Sequence, residues 1–213
     1  KNLTPQQTGA EMNVEIVLIG KLSKTDNEIR IIVELIDVKN GAKISGFDYR
    51  GKDLDLIAMQ NKMASDVATH FKAGISNDSN QAASKSFTQN SEAFEFYLKG
   101  EYHRQKSTPE DIKKSIEFYQ KALELDSNYA LAYQGLALTY RMSPAFGTHS
   151  PQVAYPIAKE AAMKALAIDP QLGSAHIPLA SIKFVWEWDF VGAEADYKQA
   201  IQLVPNNAEA HYS

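Results

Sequence analysis

The chain has 213 residues, of which 44% are hydrophobic and 23% charged, an ordinary globular composition that suffices for one large or two small domains. Its net charge of -4 argues against nucleic acid or an anionic membrane as the main partner. The absence of cysteine excludes disulfides, thiolate metal sites and a cysteine nucleophile, and no apolar run approaches the roughly 18 residues of a membrane-spanning helix.

The first predicted elements are a short helix and three antiparallel strands. The segment "TPQQTGAEM" predicts a helix with Thr4 as N-cap, Pro5 at the first helical position and Gln7 at the capping-box position. The strands are "VEIVLIGKL", "EIRIIVELIDV" and "AKISGFDYRG". Alternation in the second strand places four apolar residues on one face: Ile29, Ile31, Val33 and Leu35.

A hairpin and a second helix complete this half of the chain. Asn40 and Gly41 predict a type I′ turn, because that turn needs positive φ angles. An apolar stripe after the third strand predicts a helix and consists of Leu54, Ile57, Ala64, Val67, Ala68 and Phe71. Residues 1–73 are therefore expected to form an α+β domain, with two helices and a three-stranded antiparallel sheet.

Three stretches of this half resemble the later part of the TolB amino-terminal-like domain of bacterial regulatory proteins: "GAEMNVEIVLIGKL", "VELIDVKNGAKISGFDYRG" and "DLIAMQNKMASDVATHF". That family has a further strand and helix upstream, so the resemblance implies an incomplete domain. It also implies a bacterial multidomain regulator in which a DNA-binding, kinase or cyclase domain and often a membrane span come first. The sequence itself does not indicate a cellular compartment. The resemblance to these regulators favours the extracytoplasmic (periplasmic) face of the membrane. We expect the sequence to be a piece of a longer protein.

The chain changes character at residues 74–90, which read as a polar linker rich in Ser, Asn and Gln. From residue 91 the apolar period becomes helical, and "KALELDSN", "KALAIDPQ" and "QAIQLVPN" recur. These segments resemble the tetratricopeptide repeat (TPR), whose unit is two antiparallel helices. The resemblance implies an all-α solenoid over residues 91–213, with about three repeats and the start of a fourth.

The TPR resemblance gives positions to individual residues. The middle unit starts near Ala130, the next near Gly173 and the last at Ala208. Matching residues are Tyr133, Leu136, Ala137, Tyr140, Ala158, Ala162 and Ala165 in the middle unit, and His176, Leu179, Ala180, Ala193, Tyr197, Ala200 and Pro205 in the next. Tyr119 and Ala122 fit the first unit, whose "FEFYLKGEYHR" leaves registers one residue apart open. Small residues at these positions would let helices approach closely.

The middle unit carries about nine extra residues within "MSPAFGTHSPQVAYP". Pro144, Gly147, Pro151 and Pro156 predict a rigid loop there. Such an insertion is either a binding loop or a tolerated surface loop.

No motif in the chain indicates catalysis. A phosphate-binding glycine loop, H-E-x-x-H and G-x-S-x-G are all missing from the sequence. His176 and His211 hold the fourth position of successive repeats, which favours packing over metal ligation. Glu110 and Asp111 are typical of a helix start. We therefore expect no enzymatic activity, no cofactor and no metal.

The repeats are expected to bind through a groove lined by their first helices. In the TPR family the second, fifth, ninth, twelfth and thirteenth positions face this groove. Here they are Leu131, Gln134, Leu138, Arg141 and Met142, then Ser174, Ile177, Ser181, Phe184 and Val185, and in the last unit Glu209 and Tyr212. The lining does not match the Lys and Asn pattern that clamps a C-terminal carboxylate. It suits an apolar peptide or helix, unless neighbouring repeats or domains cover it.

The sequence thus predicts a non-catalytic protein- or peptide-binding or sensory module of a bacterial signalling or regulatory protein. Its partner would be a protein, a peptide or another domain of the parent chain, and an oligomer is compatible with the sequence. One alternative is a small-molecule sensor with a pocket between the α+β half and the repeats or under the long loop. Another is an assembly scaffold.

The segment "WEWDF" at residues 186–190 contains both tryptophans. It is either a ligand-stacking box or, as the repeat register favours, a packed corner between two helices with Asp189 as N-cap. On the second interpretation, Trp188→Ala would lower stability more than binding.

Overall fold

The computed structural model describes residues 3–25, 28–52, 58–60, 62–63, 66 and 88–205. The chain forms two compact units, Lys1–Gly74 and Ile75–Ser213. A three-stranded antiparallel sheet belongs to the first unit and helical hairpins to the second, so the predicted order of an α+β half and an all-α half is confirmed. Within the predicted linker only residues 88–90 are described, and the start of the fourth repeat lies outside the described residues.

The first unit begins with helix α1, Pro5–Glu11. Its predicted capping box is confirmed, because Gln7 N donates to Thr4 Oγ1 at 3.2 Å and Thr4 N donates to Gln7 Oε1 at 2.9 Å. Gly9 permits close packing on the sheet, since a Cβ there would overlap the side chains of Val17 and Val38. The helix therefore covers one face of the first strand.

The sheet consists of β1 Ile16–Lys24, β2 Ile29–Asp37 and β3 Lys43–Gly51, with β2 in the middle. The predicted apolar face is confirmed, because Ile29, Val33 and Leu35 are all buried. Residues 58–60, 62–63 and 66 are helical, and Met59 packs against this face. The six residues of the predicted helix stripe, from 54 to 71, all lie outside the described residues.

Ion pairs occupy the opposite face of the sheet. Arg30 forms a bidentate ion pair with Asp48, with N–O distances of 2.9 and 2.7 Å. In a second pair, Lys43 Nζ lies 2.6 Å from Glu34 Oε1. This alternation of buried apolar and exposed charged residues fixes the register, because a one-residue slip would exchange the two faces.

The β2–β3 hairpin forms where predicted, but its turn is not type I′. Gly41 has a φ of +72°, whereas the φ of Asn40 is not positive. Asp37 N donates to Ala42 O at 2.9 Å, which leaves a longer loop over residues 38–41. The Asp37 carboxylate accepts the backbone N–H groups of Lys39 and Asn40, and these bonds stabilise the alternative turn.

Three helical hairpins make up the described part of the second unit. They are α2 Ser91–Lys106 with α3 Pro109–Leu125, α4 Ala130–Met142 with α5 Pro151–Ile168, and α6 His176–Ile182 with α7 Phe190–Leu203. A 3-10 turn, Gly173–Ala175, precedes α6, and a π-helical turn, Lys183–Glu187, extends it. The predicted repeat starts coincide with the starts of α4 and of the 3-10 turn.

Small residues lie at the helix contacts, as predicted. Fully buried alanines of the middle hairpin include Ala137, Ala158, Ala162 and Ala165. In the first hairpin, a Cβ on Gly100 would lie 2.7 Å from the ring of Tyr119. Gly100 is therefore the counterpart of Ala137, and this equivalence fixes the register of the first repeat with Ala93 as its first position.

The insertion of the middle repeat is only partly a loop. Helix α5 begins at Pro151, so Pro156, expected in the loop, lies inside the helix. The loop itself spans residues 143–150 and is held by its own hydrogen bonds, including Thr148 Oγ1 to Ser143 O at 3.1 Å. The extra residues therefore lengthen the second helix as well as the connection. None of the described helices has the length and apolar character needed to cross a membrane.

Candidate functional site

The predicted groove residues lie on the first helices α4 and α6 and on the turns flanking α6. Each first helix contacts the next one, α2 with α4 and α4 with α6. The predicted groove residues differ in exposure. Leu138 and Ile177 are buried, Phe184 and Val185 are exposed, and the half-buried ones are Leu131, Gln134, Arg141, Met142, Ser174 and Ser181. Glu209 and Tyr212 lie outside the described residues. Their role in binding stays a prediction.

Two of the predicted groove residues, Leu138 and Ile177, are buried in the structure. Ile177 is only 2% exposed and packs against Ala200 of α7, within its own hairpin. Leu138 is 5% exposed. The more accessible members of the predicted groove include Arg141, Ser181, Phe184 and Val185. Arg141 Nη1 donates to Ser181 Oγ at 3.4 Å across adjacent repeats.

The first repeat contributes a polar cluster that the sequence analysis missed. With Ala93 as first position, Glu101 and Arg104 are the counterparts of Leu138 and Arg141. Arg104 Nη2 lies 2.8 Å from Glu101 Oε2. Gly100 was the sequence signal that could have found this register, because only a small residue fits beside Tyr119.

Tyr119 joins this cluster from the second helix. Its hydroxyl donates to Glu101 Oε1 at 2.5 Å. Burial and then the Glu101 carboxylate raise the pKa of Tyr119 well above its ordinary value, so the hydroxyl remains a donor. The carboxylate accepts hydrogen bonds from both Tyr119 and Arg104, which favours a structural role for the cluster.

The end of the third hairpin exposes a set of large apolar side chains, here called the aromatic corner. Its members and their exposed fractions are Phe184 54%, Val185 49%, Trp186 39%, Trp188 74%, Phe190 52% and Val191 80%. Phe190 lies at the centre, with ring centroids 5.5 Å from Phe184 and 6.2 Å from Trp188 in edge-to-face arrangements. Trp186 instead packs on Tyr155 of α5 at 5.4 Å.

The corner has an unusual backbone. The π-helical turn at Lys183–Glu187 ends at Trp188, whose φ of +57° is left-handed. Asp189 then caps α7 as predicted, accepting Gly192 N at 2.9 Å. The segment is therefore a repeat corner, but the expectation that Trp188 is packed is wrong, because the backbone directs this side chain into solvent.

Two ion pairs border the aromatic corner. Lys159 pairs with Glu187 at 2.5 Å, and Lys183 pairs with Asp196 at 2.7 Å. Asp196 also accepts His176 Nδ1 at 2.9 Å, so this histidine has a structural partner. Among the described residues, no group of three or more metal-ligating side chains comes together.

Neither a family model nor a curated protein matches the sequence. Solved structures similar to this chain include the Arabidopsis OM64 TPR domain, with 20% identity and a TM-score of 0.47 over 57% of this chain and 89% of that chain. Another is the first TPR of Spaghetti (RPAP3), bound to the HSP90 peptide SRMEEVD. It has 19% identity and a TM-score of 0.46, and the match covers 57% of this chain and 86% of that chain.

Proposed function

We propose that the second unit is a non-catalytic protein-binding module that holds an amphipathic helix of a partner protein at the aromatic corner. The observation that carries this proposal is the exposure of Phe184, Trp188 and Phe190, each more than half accessible. Contiguous exposed apolar groups of this size are uncommon on soluble proteins and mark interaction sites. Tryptophan and other large aromatics also supply much of the energy at protein interfaces.

The backbone of the corner supports a binding role. A left-handed conformation costs a non-glycine residue on the order of 1 kcal/mol or more, and such conformations cluster at functional sites. Single π-helical turns are likewise frequent at such sites. The left-handed residue Trp188 directly follows the π-helical turn, and its side chain is 74% exposed.

The neighbouring charges indicate what the partner should look like. Four charged groups beside the corner neutralise one another in the pairs Lys159–Glu187 and Lys183–Asp196, and the Asp189 carboxylate is engaged as the cap of α7. The apolar rings, rather than charge, would therefore select the partner. Phe190 and the two rings beside it offer a compact surface for apolar side chains spaced three or four residues apart on a helix.

Peptide binding can be followed with the chain's own tryptophans, because both belong to the corner. Amphipathic helical peptides would be selected by phage display on the immobilised chain and titrated in solution. We expect a blue shift of tryptophan emission in the wild type and an affinity loss of about 10-fold or more in Phe190→Ala, as for an interface hot spot. Met163→Ala, at an apolar position of α5 with 57% exposure, is the matched control.

Three results would contradict the proposal. One is the failure of the selection to enrich any peptide whose binding depends on Phe190. A second is binding to vesicles of zwitterionic and anionic phospholipid in place of peptides, which would identify the corner as a membrane contact. The third is thermal stabilisation by metabolites but not by peptides, which would favour a small-molecule sensor.

We also propose that this module belongs to a bacterial regulatory protein with a TolB-like α+β domain and acts on the extracytoplasmic face. The support is the sequence resemblance of the first half. An alkaline phosphatase fusion to the complete gene product in bacteria would test the location, since this reporter is active only outside the cytoplasm. An inactive fusion that is expressed normally would contradict it.

A further inference from the structure

Strand β1 is an edge of the sheet in the first unit. Among the described residues, β1 pairs with β2, and β2 pairs with β3 on its other side. Val38 N donates to Glu15 O at 2.9 Å, so the odd-numbered residues of β1 direct their backbone groups towards β2. The even-numbered residues of β1 therefore direct their N–H and C=O groups towards the open edge.

The same even-numbered residues expose apolar side chains. Leu18 is 50% and Leu22 65% exposed, and they stand opposite Leu35 and Ile31 on the apolar face of the sheet. Edge strands are usually protected by proline, bulges or charges that face the partner. In β1 no proline occurs, and of its two lysines Lys21 has an odd number, so its side chain lies on the other face, whereas Lys24 is the last residue of the strand.

The sequence of β1 complements itself about Gly20. If two copies pair antiparallel with Gly20 opposite Gly20, Leu18 faces Leu22 of the second copy. Lys21 then faces Ile19 and Lys24 faces Ile16, so no like charges stand directly opposite. The outward backbone groups of the even-numbered residues also meet in this register, which provides the hydrogen-bonded pairs of an antiparallel ladder.

We propose that two copies of the chain associate through β1, antiparallel about Gly20, so that the three described strands of each copy join into one continuous sheet. The association covers Leu18 and Leu22 and pairs the exposed backbone edge. Gly20 has room for this approach, because a Cβ placed on it meets nothing within 4 Å. This surface belongs to the first unit, whereas the aromatic corner belongs to the second, and the proposal goes beyond the proposed function.

Disulfide trapping tests the register directly, because the natural chain contains no cysteine. Residues opposite each other in a hydrogen-bonded pair have Cα atoms about 5.5 Å apart, within the range that a disulfide spans. We expect Gly20→Cys to form a covalent dimer rapidly under mild oxidation. Ser23→Cys is the matched control, since each copy's residue 23 would face Val17 of the other, and it should cross-link slowly.

Sedimentation of the uncross-linked full chain supplies the second measurement. We expect a concentration-dependent dimer in the wild type and a folded monomer in Leu22→Lys, while Ile44→Lys on edge strand β3 leaves the dimer intact. Circular dichroism verifies that each variant is folded. A wild type that stays monomeric to about 500 µM, where even a weak dimer of millimolar Kd is partly populated, overturns the proposal.

Two further outcomes also overturn it. Equal cross-linking of Gly20→Cys and Ser23→Cys would show random collision. Protection of the β1 amides from hydrogen exchange only when a different extended peptide is added would assign the edge to another partner. The Phe190→Ala peptide titration is independent of these variants, so failure here is distinguishable from failure of the proposed function.

Discussion

The ring of Tyr119 in the first hairpin packs directly against the backbone of Gly135 in the second hairpin. It occupies the space that a larger side chain at position 135 would need. A Cβ on Gly135 would lie 2.5 Å from Cε1 of this ring. Glycine to alanine in an open helical site stabilises by about 1 kcal/mol. Here overpacking reverses the sign, and we expect Gly135→Ala to lower the free energy of unfolding by about 1–3 kcal/mol.

Urea denaturation followed by circular dichroism measures this change. Gln134→Ala, at the adjacent half-buried position, is the control and should have little effect. A stabilised Gly135→Ala variant would mean that Tyr119 can move aside at little cost.

Tyr119 and Tyr129 are both fully buried, but their hydroxyls differ. The first donates to Glu101, whereas Tyr129 Oη has no hydrogen-bond partner among the described residues. Removing the hydroxyl bonded to Glu101, a half-buried carboxylate that keeps its pair with Arg104, costs about 1–3 kcal/mol. We expect Tyr119→Phe to lose stability by this amount and Tyr129→Phe to be neutral or slightly stabilised. Equal losses in the two variants, measured by urea denaturation, would contradict the assignment.

The Asp196 carboxylate should make the second unit sensitive to acid. Burial disfavours its charged form, but hydrogen bonds from His176 and Lys183 outweigh burial and hold its pKa below the ordinary value. The resulting stability is present above the ordinary carboxyl pKa of about 4 and is lost as pH falls through the lower folded pKa. We expect Asp196→Asn to lower Tm at pH 7, with a difference from wild type that shrinks below about pH 4.

A neighbouring carboxylate on the same helix provides the control for this pH experiment. Glu194 forms an exposed pair with Lys198, and such pairs contribute little to stability. Glu194→Gln should therefore leave Tm nearly unchanged over the whole pH range. A Tm difference for Asp196→Asn that persists undiminished at pH 2.5 would show that its effect is not electrostatic.

The exposure of Trp188 predicts a small effect on stability. With 74% of the residue accessible, Trp188→Ala removes little buried surface and should change the free energy of unfolding by less than about 1 kcal/mol. Tyr119→Ala, in contrast, creates a core cavity and should cost about 3–5 kcal/mol. A loss of similar size in both variants would restore the interpretation of Trp188 as a packing residue.

The cap of α7 can be tested separately from the aromatic rings. Asp189→Ala removes the acceptor of Gly192 N and should cost about 1 kcal/mol. Asp189→Ser keeps a capping oxygen and should recover most of this loss. If the two variants have the same Tm, the side-chain bond does not stabilise the helix.

The sequence predicted what depends on periodicity and on local chemistry. The apolar face of β2, the Thr4 capping box and the Asp189 cap each rest on residues a few positions apart, and each is present. The turn at Asn40–Gly41 differs because the Asp37 side chain competes for the same backbone groups. Such competition depends on geometry that the Asn-Gly pair alone does not contain.

The candidate site was harder to predict because it depends on the direction of side chains. Repeat spacing placed Ile177 in the groove, yet this residue packs within its own hairpin. The π-helical turn changes which side chains share a face of the helix after Ile182. Together with the left-handed conformation of Trp188, it exposes the rings that the repeat spacing predicted to be packed. Neither backbone feature has a residue pattern from which spacing alone could infer it.

The fit of Tyr119 against Gly135 also limits how freely the repeats could be rearranged. At the next junction the counterpart of Tyr119 is Ala162, and the counterpart of Gly135 is the buried Pro178. At the first junction the large Tyr119 therefore packs against glycine. At the second junction the two positions hold the small Ala162 and the bulkier Pro178. The hairpins are therefore not interchangeable modules. An engineered array that duplicated or reordered them would need to transfer each junction, rather than each hairpin, as its unit.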